Sequence, residues 1–496
     1  MIPQLDKLIN LFPPLSLGLG IVIACQYSLT YEGSTTARLF RLALAPLGLY
    51  AFYDFCWRDF VEFDGALYPT NYVLVGTITT IGMVRLVDAC LLTLLDSRPP
   101  HYIDHGTGNP IPLPTTPLRR LGYSLDMLYA MRGTSFYEGR HWNWASPKVA
   151  TYRAAQAASP RLFALSSALS AFLSYLALDF TNSYLYFVIS PILRTRSPGN
   201  HTPFTSLLPL WQQIICTFEF FFEIQVVYVI SDTIPLVLCL GLGLCSDLDN
   251  WPPPFDNPLM SGSLPHFWSQ AWHTTYRQFF LRFAHPFIYI LFPSTRDSSA
   301  READYSPSVD KSTTTQGGPQ QNGIRSSAGL VLNNGTLNEK LDVHRNNGLS
   351  NHDKEPAGNK RRLSPAVAYV TMVLCFVASG LYHLSLMFRV RLASPPGSIP
   401  PPQPSLLQFW KYDISAAKFF LVQPIGITID MILFRPILGK SSMIRRVFAW
   451  VWILYTIRWW LDAWAAAGMW DGEQPWLLGS PIRAVADRWG WVSGGA

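Results

Sequence analysis

Long apolar runs recur along this chain of 496 residues, and they constrain its fold more than any other feature. A helix needs about 20 mostly apolar residues to cross a bilayer. The candidate runs are Leu11–Leu29, Leu39–Phe55, Val73–Leu95, Leu162–Ile189, Trp211–Cys245, Phe267–Phe292, Ala366–Phe388, Phe409–Leu433 and Val447–Ala467. We therefore predict an all-α fold, a polytopic transmembrane helix bundle with about 8–10 spans.

The composition supports a membrane protein. Charged residues make up 14% of the chain, whereas soluble domains carry about 25%. The 17 Trp and 22 Tyr suit aromatic belts at the two membrane interfaces. The net charge of +6 does not form a basic stripe on a polar fold, so we predict the lipid bilayer as a partner and no nucleic acid. The segment before the first run lacks the pattern of a cleaved signal peptide, so we expect that run to be retained as a span.

Three of the runs contain features that bear on their structure. Trp211–Cys245 contains Pro235, which permits either one tilted helix with a re-entrant piece or two short helices. Phe267–Phe292 mixes polar and apolar residues and predicts an interfacial helix that enters a span. In Val73–Leu95, Arg85 and Asp88 are three residues apart, so they can pair on one helix face.

The chain divides by composition into five parts. Segment 294–363 is rich in Ser, Asn and Gly and nearly lacks aromatic residues, which predicts a disordered insert. The parts are 1–120 (N-terminal spans and a Pro-rich loop), 121–293, the insert 294–363, 364–470 (further spans) and the tail 471–496. Asn200 and Asn334 begin glycosylation sequons, which matter only in lumenal loops.

One histidine is the strongest chemical signal. Ala366–Phe388 contains no charged residue, and His383 is its only ionisable side chain apart from cysteine and tyrosine. An imidazole in hydrocarbon is costly unless it faces the bundle interior or a wet cavity. The residue is therefore either functional or a structural histidine bonded to a neighbouring helix. Gly380, about one turn earlier, leaves room for a ligand or another helix to approach.

Two further clusters combine aromatic and polar residues. The sequence Phe267-Trp-Ser-Gln-Ala-Trp-His273 predicts Trp268 and Trp272 stacked at i and i+4 of a helix, and as structure alone it is an interfacial anchor. His266, His273 and His285 are not spaced as metal ligands, and the seven cysteines form no C-x-x-C pair, so we predict no metal site. The second cluster, 131–144, contains Arg132, suited either to a coenzyme A phosphate or to lipid headgroups.

Together these clusters resemble the membrane-bound O-acyltransferase superfamily, and in particular its wax-synthase-like branch of fungal enzymes. Phe267 to His273 is similar to the F-W-x-x-x-W-H motif of that branch. Ser379-Gly-Leu-Tyr-His383 is similar to the S-G-x-x-H of the catalytic histidine. Arg132-Gly133 with Trp142-Asn-Trp144 loosely resembles R-G-x-G-x-x-W, although extra residues separate its two halves.

The resemblance implies direct acyl transfer from acyl-CoA to a hydroxyl group. His383 would be the general base, and His273 would bind the thioester oxygen or orient the acceptor. Residues expected to contact substrate or coenzyme are Trp268, Trp272, Arg132, Trp142, Asn143, Ser379 and Tyr382. No cofactor is expected to stay bound, since acetyl-CoA or another acyl-CoA is a co-substrate. The resemblance implies a small hydrophobic alcohol, terpenoid or meroterpenoid, as acceptor, and a multi-pass protein of the endoplasmic reticulum.

Other functions remain open on the sequence alone. A long-chain wax or sterol ester synthase would share these motifs, and the acyl chain length, membrane orientation and oligomeric state are not determined by them. A transporter would place the intramembrane charges along a path, but secondary transporters usually contain two similar halves, and no internal repeat is evident here. A non-catalytic scaffold would use the insert as a partner-binding tail.

Overall fold

The computed structural model describes residues 2–57, 69–96, 98–146, 149–150, 152, 159–189, 191–192, 207–242, 248–255, 257–272, 275–293, 364–392, 414–439, 443–466 and 480–488. Helices dominate this part of the chain. They are α1 (Ile2–Leu29), α2 (Thr35–Trp57), α3 (Pro69–Cys90), α4 (Pro117–Tyr129), α5 (Pro160–Tyr184), α6 (Leu210–Gly241), α7 (Leu264–His266), α8 (Arg277–Leu291), α9 (Pro365–Leu392), α10 (Ile414–Leu421), α11 (Gln423–Ile429), α12 (Arg435–Leu438), α13 (Met443–Thr456), α14 (Arg458–Ala466) and α15 (Pro481–Arg488).

The all-α membrane bundle is confirmed. Within the described residues, seven helical stretches are long and apolar enough to cross a membrane, fewer than the number of spans predicted. They are Phe12–Leu29, Thr35–Cys56, Val75–Leu94, Pro160–Ile189, Leu210–Gly241, Pro365–Leu386 and Ile414–Leu438. Two predicted runs are shorter or broken. Helix α8 has 15 residues, and the run Val447–Ala467 is interrupted at Ile457, between α13 and α14.

Helix α6 settles the alternatives at Pro235. It is one helix of 32 residues that contains the proline, rather than two short helices. At 1.5 Å per residue it is about 48 Å long, well beyond a hydrocarbon core of about 30 Å. A helix of this length must tilt or extend past the membrane. It packs along α5, and its buried face carries Glu219 and Glu223.

Within the described residues, three π-helical segments adjoin α-helices. Leu185–Ile189 extends α5, Phe267–Ala271 follows α7, and Asp430–Phe434 lies between α11 and α12. A π turn closes with a hydrogen bond from residue i+5 to residue i, and such turns are frequent at functional sites. Two of the three lie next to each other in the fold, since α7 contacts the segment Asp430–Phe434.

The buried residues form two main clusters. The N-terminal cluster joins α1, α2, α3 and α4 with a small antiparallel sheet of two strands, β1 (Tyr102–Asp104) and β2 (Arg140–Trp142). The central cluster joins the buried faces of α6, α9, α10, α13 and α14 with the segment around Phe267. Helix α3 packs against α1, α2 and α9, and it thereby connects the two clusters.

Within the described residues, Arg85 and Asp88 form no direct ion pair, although their spacing allows one. Asp88 instead accepts a hydrogen bond from Arg282 Nε of α8 at 2.7 Å, and Arg282 Nη1 bonds Asp96 at the same distance. One guanidinium that spans two carboxylates satisfies both of them, so Asp88 does not need Arg85. The Nε and Nη2 atoms of Arg85 are buried without a hydrogen-bond partner. The spacing of residues along one helix could not reveal that the partner of Asp88 is an arginine on a neighbouring helix.

Candidate active site around His383

His383 lies inside the bundle, in the middle of the central cluster. Its residue exposure is 9%, so the imidazole faces the protein rather than lipid. The ring stacks on Phe420 of α10 with centroids 4.3 Å apart and planes 3° apart. On another side it meets Trp460 of α14 at 4.4 Å and 66°. Two helices distant in sequence therefore fix the imidazole by aromatic packing.

Helix α9 approaches α10 closely at Gly380. A Cβ atom at this position would lie 3.6 Å from the Cα of Ala417, which is ordinary van der Waals contact. A neighbouring helix therefore fills the space that the sequence left open for a ligand or a helix. Ser379 is also buried, at 6% exposure, one helical turn before His383. The close contact of α9 with α10 brings His383 against Phe420.

Tyrosine hydroxyls form a chain beside the imidazole. The Tyr382 hydroxyl donates to the Tyr276 hydroxyl at 3.4 Å, and the Tyr276 hydroxyl also interacts with that of Tyr228. Burial raises the pKa of Tyr276 well above its ordinary value. Tyr382 is thus held by a hydroxyl network that sequence reasoning missed.

The aromatic motif lies on the π-helical segment Phe267–Ala271. Trp272 N–H donates to Phe267 carbonyl at 2.8 Å, which closes the five-residue turn. The predicted stack of Trp268 on Trp272 is therefore wrong, because the wider turn places residue i+5 over residue i. Trp272 stacks on Phe267 at 5.6 Å and 10°, and its backbone is already extended.

Trp268 connects this motif to the surroundings of His383. Its indole packs on Phe376 of α9 at 5.3 Å and lies 6.4 Å from Phe420, the ring that stacks on the imidazole. Its Nε1–H donates to Gln423 Oε1 at 3.2 Å. Gln423 is fully buried, and its amide donates in turn to Thr456 Oγ1 at 3.1 Å. Phe420 and Gln423 thus link the motif to the histidine helix.

A buried ion pair anchors the start of the motif. Asp430, at 0% exposure, accepts from Arg445 Nε at 2.6 Å through Oδ1. Its other oxygen accepts from Leu264 N–H at 3.0 Å, at the first residue of α7. Arg445 also donates through Nη1 to Gly439 carbonyl. One carboxylate therefore fastens the motif segment to α13.

The third predicted element lies in the region of the N-terminal cluster, away from the imidazole. Arg132 donates through Nη2 to Asp232 of α6 and through Nη1 to Pro252 carbonyl, both at 2.6 Å. These bonds occupy two of the guanidinium nitrogens. Trp142 is fully buried. Asn143 is exposed, and its side-chain oxygen accepts from the His101 backbone at 3.5 Å.

Asp126 organises this element. Its Oδ1 accepts from Phe136 N–H at 2.7 Å. Its Oδ2 accepts from Ser135 Oγ at 2.8 Å, Tyr102 hydroxyl at 2.9 Å and Trp142 Nε1 at 3.1 Å. Burial raises the pKa of Asp126, and the four hydrogen bonds oppose that shift. The carboxyl group was not predicted from sequence, because its donors are scattered between Tyr102 and Trp142.

The structure therefore brings together two of the three predicted elements. His383, Tyr382 and Trp268 share one aromatic environment, whereas Arg132 and Trp142 belong to another. His273 lies outside the described residues. The surrounding residues missed from sequence are Phe420, Gln423, Trp460, Tyr276 and Asp430, which occur in apolar runs or singly and match no motif. Folding places Phe420 and Trp460 against the imidazole and Tyr276 against Tyr382. It places Gln423 and Asp430 against the motif segment.

Comparison with known proteins gives one family. Residues 251–303 match the model of the Membrane bound O-acyl transferase family. The matched segment contains the π-helical motif with Trp268, and it supports a membrane O-acyltransferase of this superfamily. Nothing among curated proteins and nothing among solved structures matches the chain.

Proposed function

We propose that this protein transfers an acyl group from acyl-CoA to the hydroxyl of a hydrophobic alcohol, with His383 as general base. The single observation that carries the proposal is the packing of His383 on Phe420, the ring that Trp268 of the family-matched segment also approaches. An imidazole in this position is one of few side chains in the central cluster that can accept a proton.

The proposed reaction needs no covalent enzyme intermediate. The imidazole of His383 takes the proton of the alcohol while its oxygen attacks the thioester carbonyl carbon. The carbonyl oxygen becomes an oxyanion, and its collapse breaks the C–S bond. The departing thiolate takes the proton back from the imidazolium. A dry bundle interior disfavours attack by water on the same thioester.

The finer features of the proposal come from the resemblance to the wax-synthase-like branch. We infer acetyl-CoA as the donor, a terpenoid or meroterpenoid alcohol as the acceptor and the endoplasmic reticulum as the location. His273 is proposed to bind the thioester oxygen or orient the acceptor. The proposed substrate or coenzyme contacts are Trp268, Trp272, Ser379, Tyr382, Arg132, Trp142 and Asn143.

A microsomal assay tests the proposal. Labelled acetyl-CoA and longer acyl-CoA donors are offered with a panel of terpenoid alcohols, sterols and long-chain alcohols. Transfer by the wild-type protein should disappear in His383→Ala at equal expression, because general base catalysis contributes roughly 10²–10⁴-fold. Preference for long-chain donors would favour a wax or sterol ester synthase instead.

Two variants complete this test. His273→Ala should lower turnover strongly if the residue contacts the thioester or the acceptor, and a small effect would return it to an anchoring role. Ser269→Ala is a matched control on the same segment, because this side chain is exposed. Undiminished transfer by His383→Ala would overturn the assignment of the base.

A further inference from the structure

An indole N–H beside the imidazole has no hydrogen-bond partner among the residues that the structure describes. Trp460 is 2% exposed, and its Nε1 is buried without an acceptor. Leaving such a donor unsatisfied in a protein interior is unfavourable, and each instance in a native fold calls for an explanation.

The position of Trp460 distinguishes it from other unpartnered indoles. Among the described residues, Trp251, Trp452 and Trp464 also have buried Nε1 atoms without an acceptor. Of these four tryptophans, Trp460 is the one whose ring contacts His383, at 4.4 Å between centroids. The indole of Trp460 is therefore a direct neighbour of the proposed general base.

The other rings around the imidazole cannot supply a free donor. Phe420 carries no polar hydrogen, and the Tyr382 hydroxyl donates to Tyr276. Trp460 is also held firmly, since it stacks on Phe419 at 5.4 Å and 24° and meets Phe220 edge-on at 4.8 Å. A donor fixed in a water-poor site needs no reorganisation when charge develops, which is the property of an effective oxyanion donor.

We propose that Trp460 is a catalytic residue whose indole N–H binds the thioester carbonyl oxygen of the acyl-CoA. The inference rests on the proposed acyl transfer and deepens it. As the alcohol oxygen bonds to the carbonyl carbon and its proton passes to His383, the C=O electron pair moves to the oxygen. Trp460 Nε1–H donates to that oxyanion. When the C–S bond breaks, the electron pair returns and the bond to Trp460 weakens.

The test compares two substitutions on one helix. Trp460→Phe removes the N–H and keeps an aromatic ring, and it should lower kcat about 10²-fold or more with a small change in KM for acyl-CoA. Trp464→Phe is the matched control, because this residue has the same helix, a buried ring and an unpartnered Nε1. It should remain near wild-type activity. Trp460→His keeps a ring N–H and should retain more activity than Trp460→Phe.

Substrate analogues supply a readout that packing alone does not move. A ketone analogue of the acyl-CoA keeps the carbonyl oxygen, whereas an S-alkyl thioether of coenzyme A lacks it. Trp460→Phe should weaken inhibition by the ketone about three- to tenfold and leave inhibition by the thioether unchanged. Equal weakening of both analogues would indicate lost packing and overturn the inference.

The outcomes separate this inference from the function it rests on. If the wild-type protein transfers acyl groups in a His383-dependent manner and Trp460→Phe stays within threefold of it, the role of Trp460 is wrong and the enzyme assignment stands. An equal fall in Trp464→Phe also overturns the role. If the wild-type protein transfers no acyl group from any donor, the proposed function fails, and the inference fails with it.

Discussion

Replacing Asp430 by asparagine should destabilise the folded protein strongly. Asp430 accepts one hydrogen bond at each carboxylate oxygen, from Arg445 Nε at 2.6 Å and from Leu264 N–H at 3.0 Å. Asparagine has one acceptor oxygen, so its amide N–H₂ must face one of these two donors. Arg445, at 2% exposure, then also lacks a counter-charge.

The expected magnitude follows from the burial of both partners. Removing one member of a buried ion pair costs about 3–5 kcal/mol, because the remaining charge is left uncompensated. At about 2 °C per kcal/mol, the lower value for large domains, the thermal midpoint should fall by about 6–10 °C. Acyl transfer should fall as well, since Asp430 holds the start of the motif segment.

Thermal unfolding of the purified protein in detergent measures this effect. A double-mutant cycle with Arg445→Met supplies the control, because replacing both charges removes the uncompensated guanidinium. The double variant should be clearly more stable than the sum of the two single effects. Additive single effects, or a midpoint for Asp430→Asn within 2 °C of wild type, would refute the reasoning.

Three further outcomes are expected in the same thermal assay. Asp126→Ala leaves four hydrogen-bond donors without an acceptor, and it should lower the free energy of unfolding by about 1–3 kcal/mol for each donor that finds no water. Asp126→Asn should be milder because it keeps one acceptor oxygen. Equal effects of the two substitutions would argue against the hydrogen-bond network. Gly133→Ala should prevent correct folding of its turn, because φ is +82° and the new Cβ would lie 2.5 Å from the Ala145 Cα. Gly139→Ala, where φ is +67° and the space is open, should lower the free energy of unfolding by only about 1–2 kcal/mol. Similar losses of stability in the two variants would contradict this reasoning. Gln423→Leu should lower the free energy of unfolding by about 1–3 kcal/mol, and it should also lower turnover. Wild-type stability and turnover in this variant would show that Gln423 does not hold the motif in place.

The sequence was sufficient for the fold class but not for the helix boundaries. Apolar length predicts a span because every backbone group in lipid must be satisfied within a helix. The same criterion merged α13 and α14, since the break at Ile457 is apolar and carries no Gly or Pro. Apolar length also could not decide whether the helix continues through Pro235, because packing against neighbouring helices determines this.

The candidate site was predictable in its polar part and hidden in its apolar part. His383 stands out because a titratable ring in an apolar helix is costly. Phe420 and Trp460 do not stand out, because one Phe or Trp among many in apolar runs carries no signal until the fold places it. The prediction that Trp268 stacks on Trp272 failed for a similar reason. It assumed 3.6 residues per turn, and the sequence contains no recognisable signal for a π turn.

The π turn at Phe267–Ala271 also bears on how this segment tolerates insertion and deletion. A π turn holds one residue more than the α turn it replaces. Deleting a single residue between Phe267 and Trp272 would restore an ordinary turn and rotate the following residues by about 100° around the helix axis. Trp272 would then leave the ring of Phe267. In related chains, a change in the number of residues between these two aromatics should therefore be accompanied by a different partner for the second one.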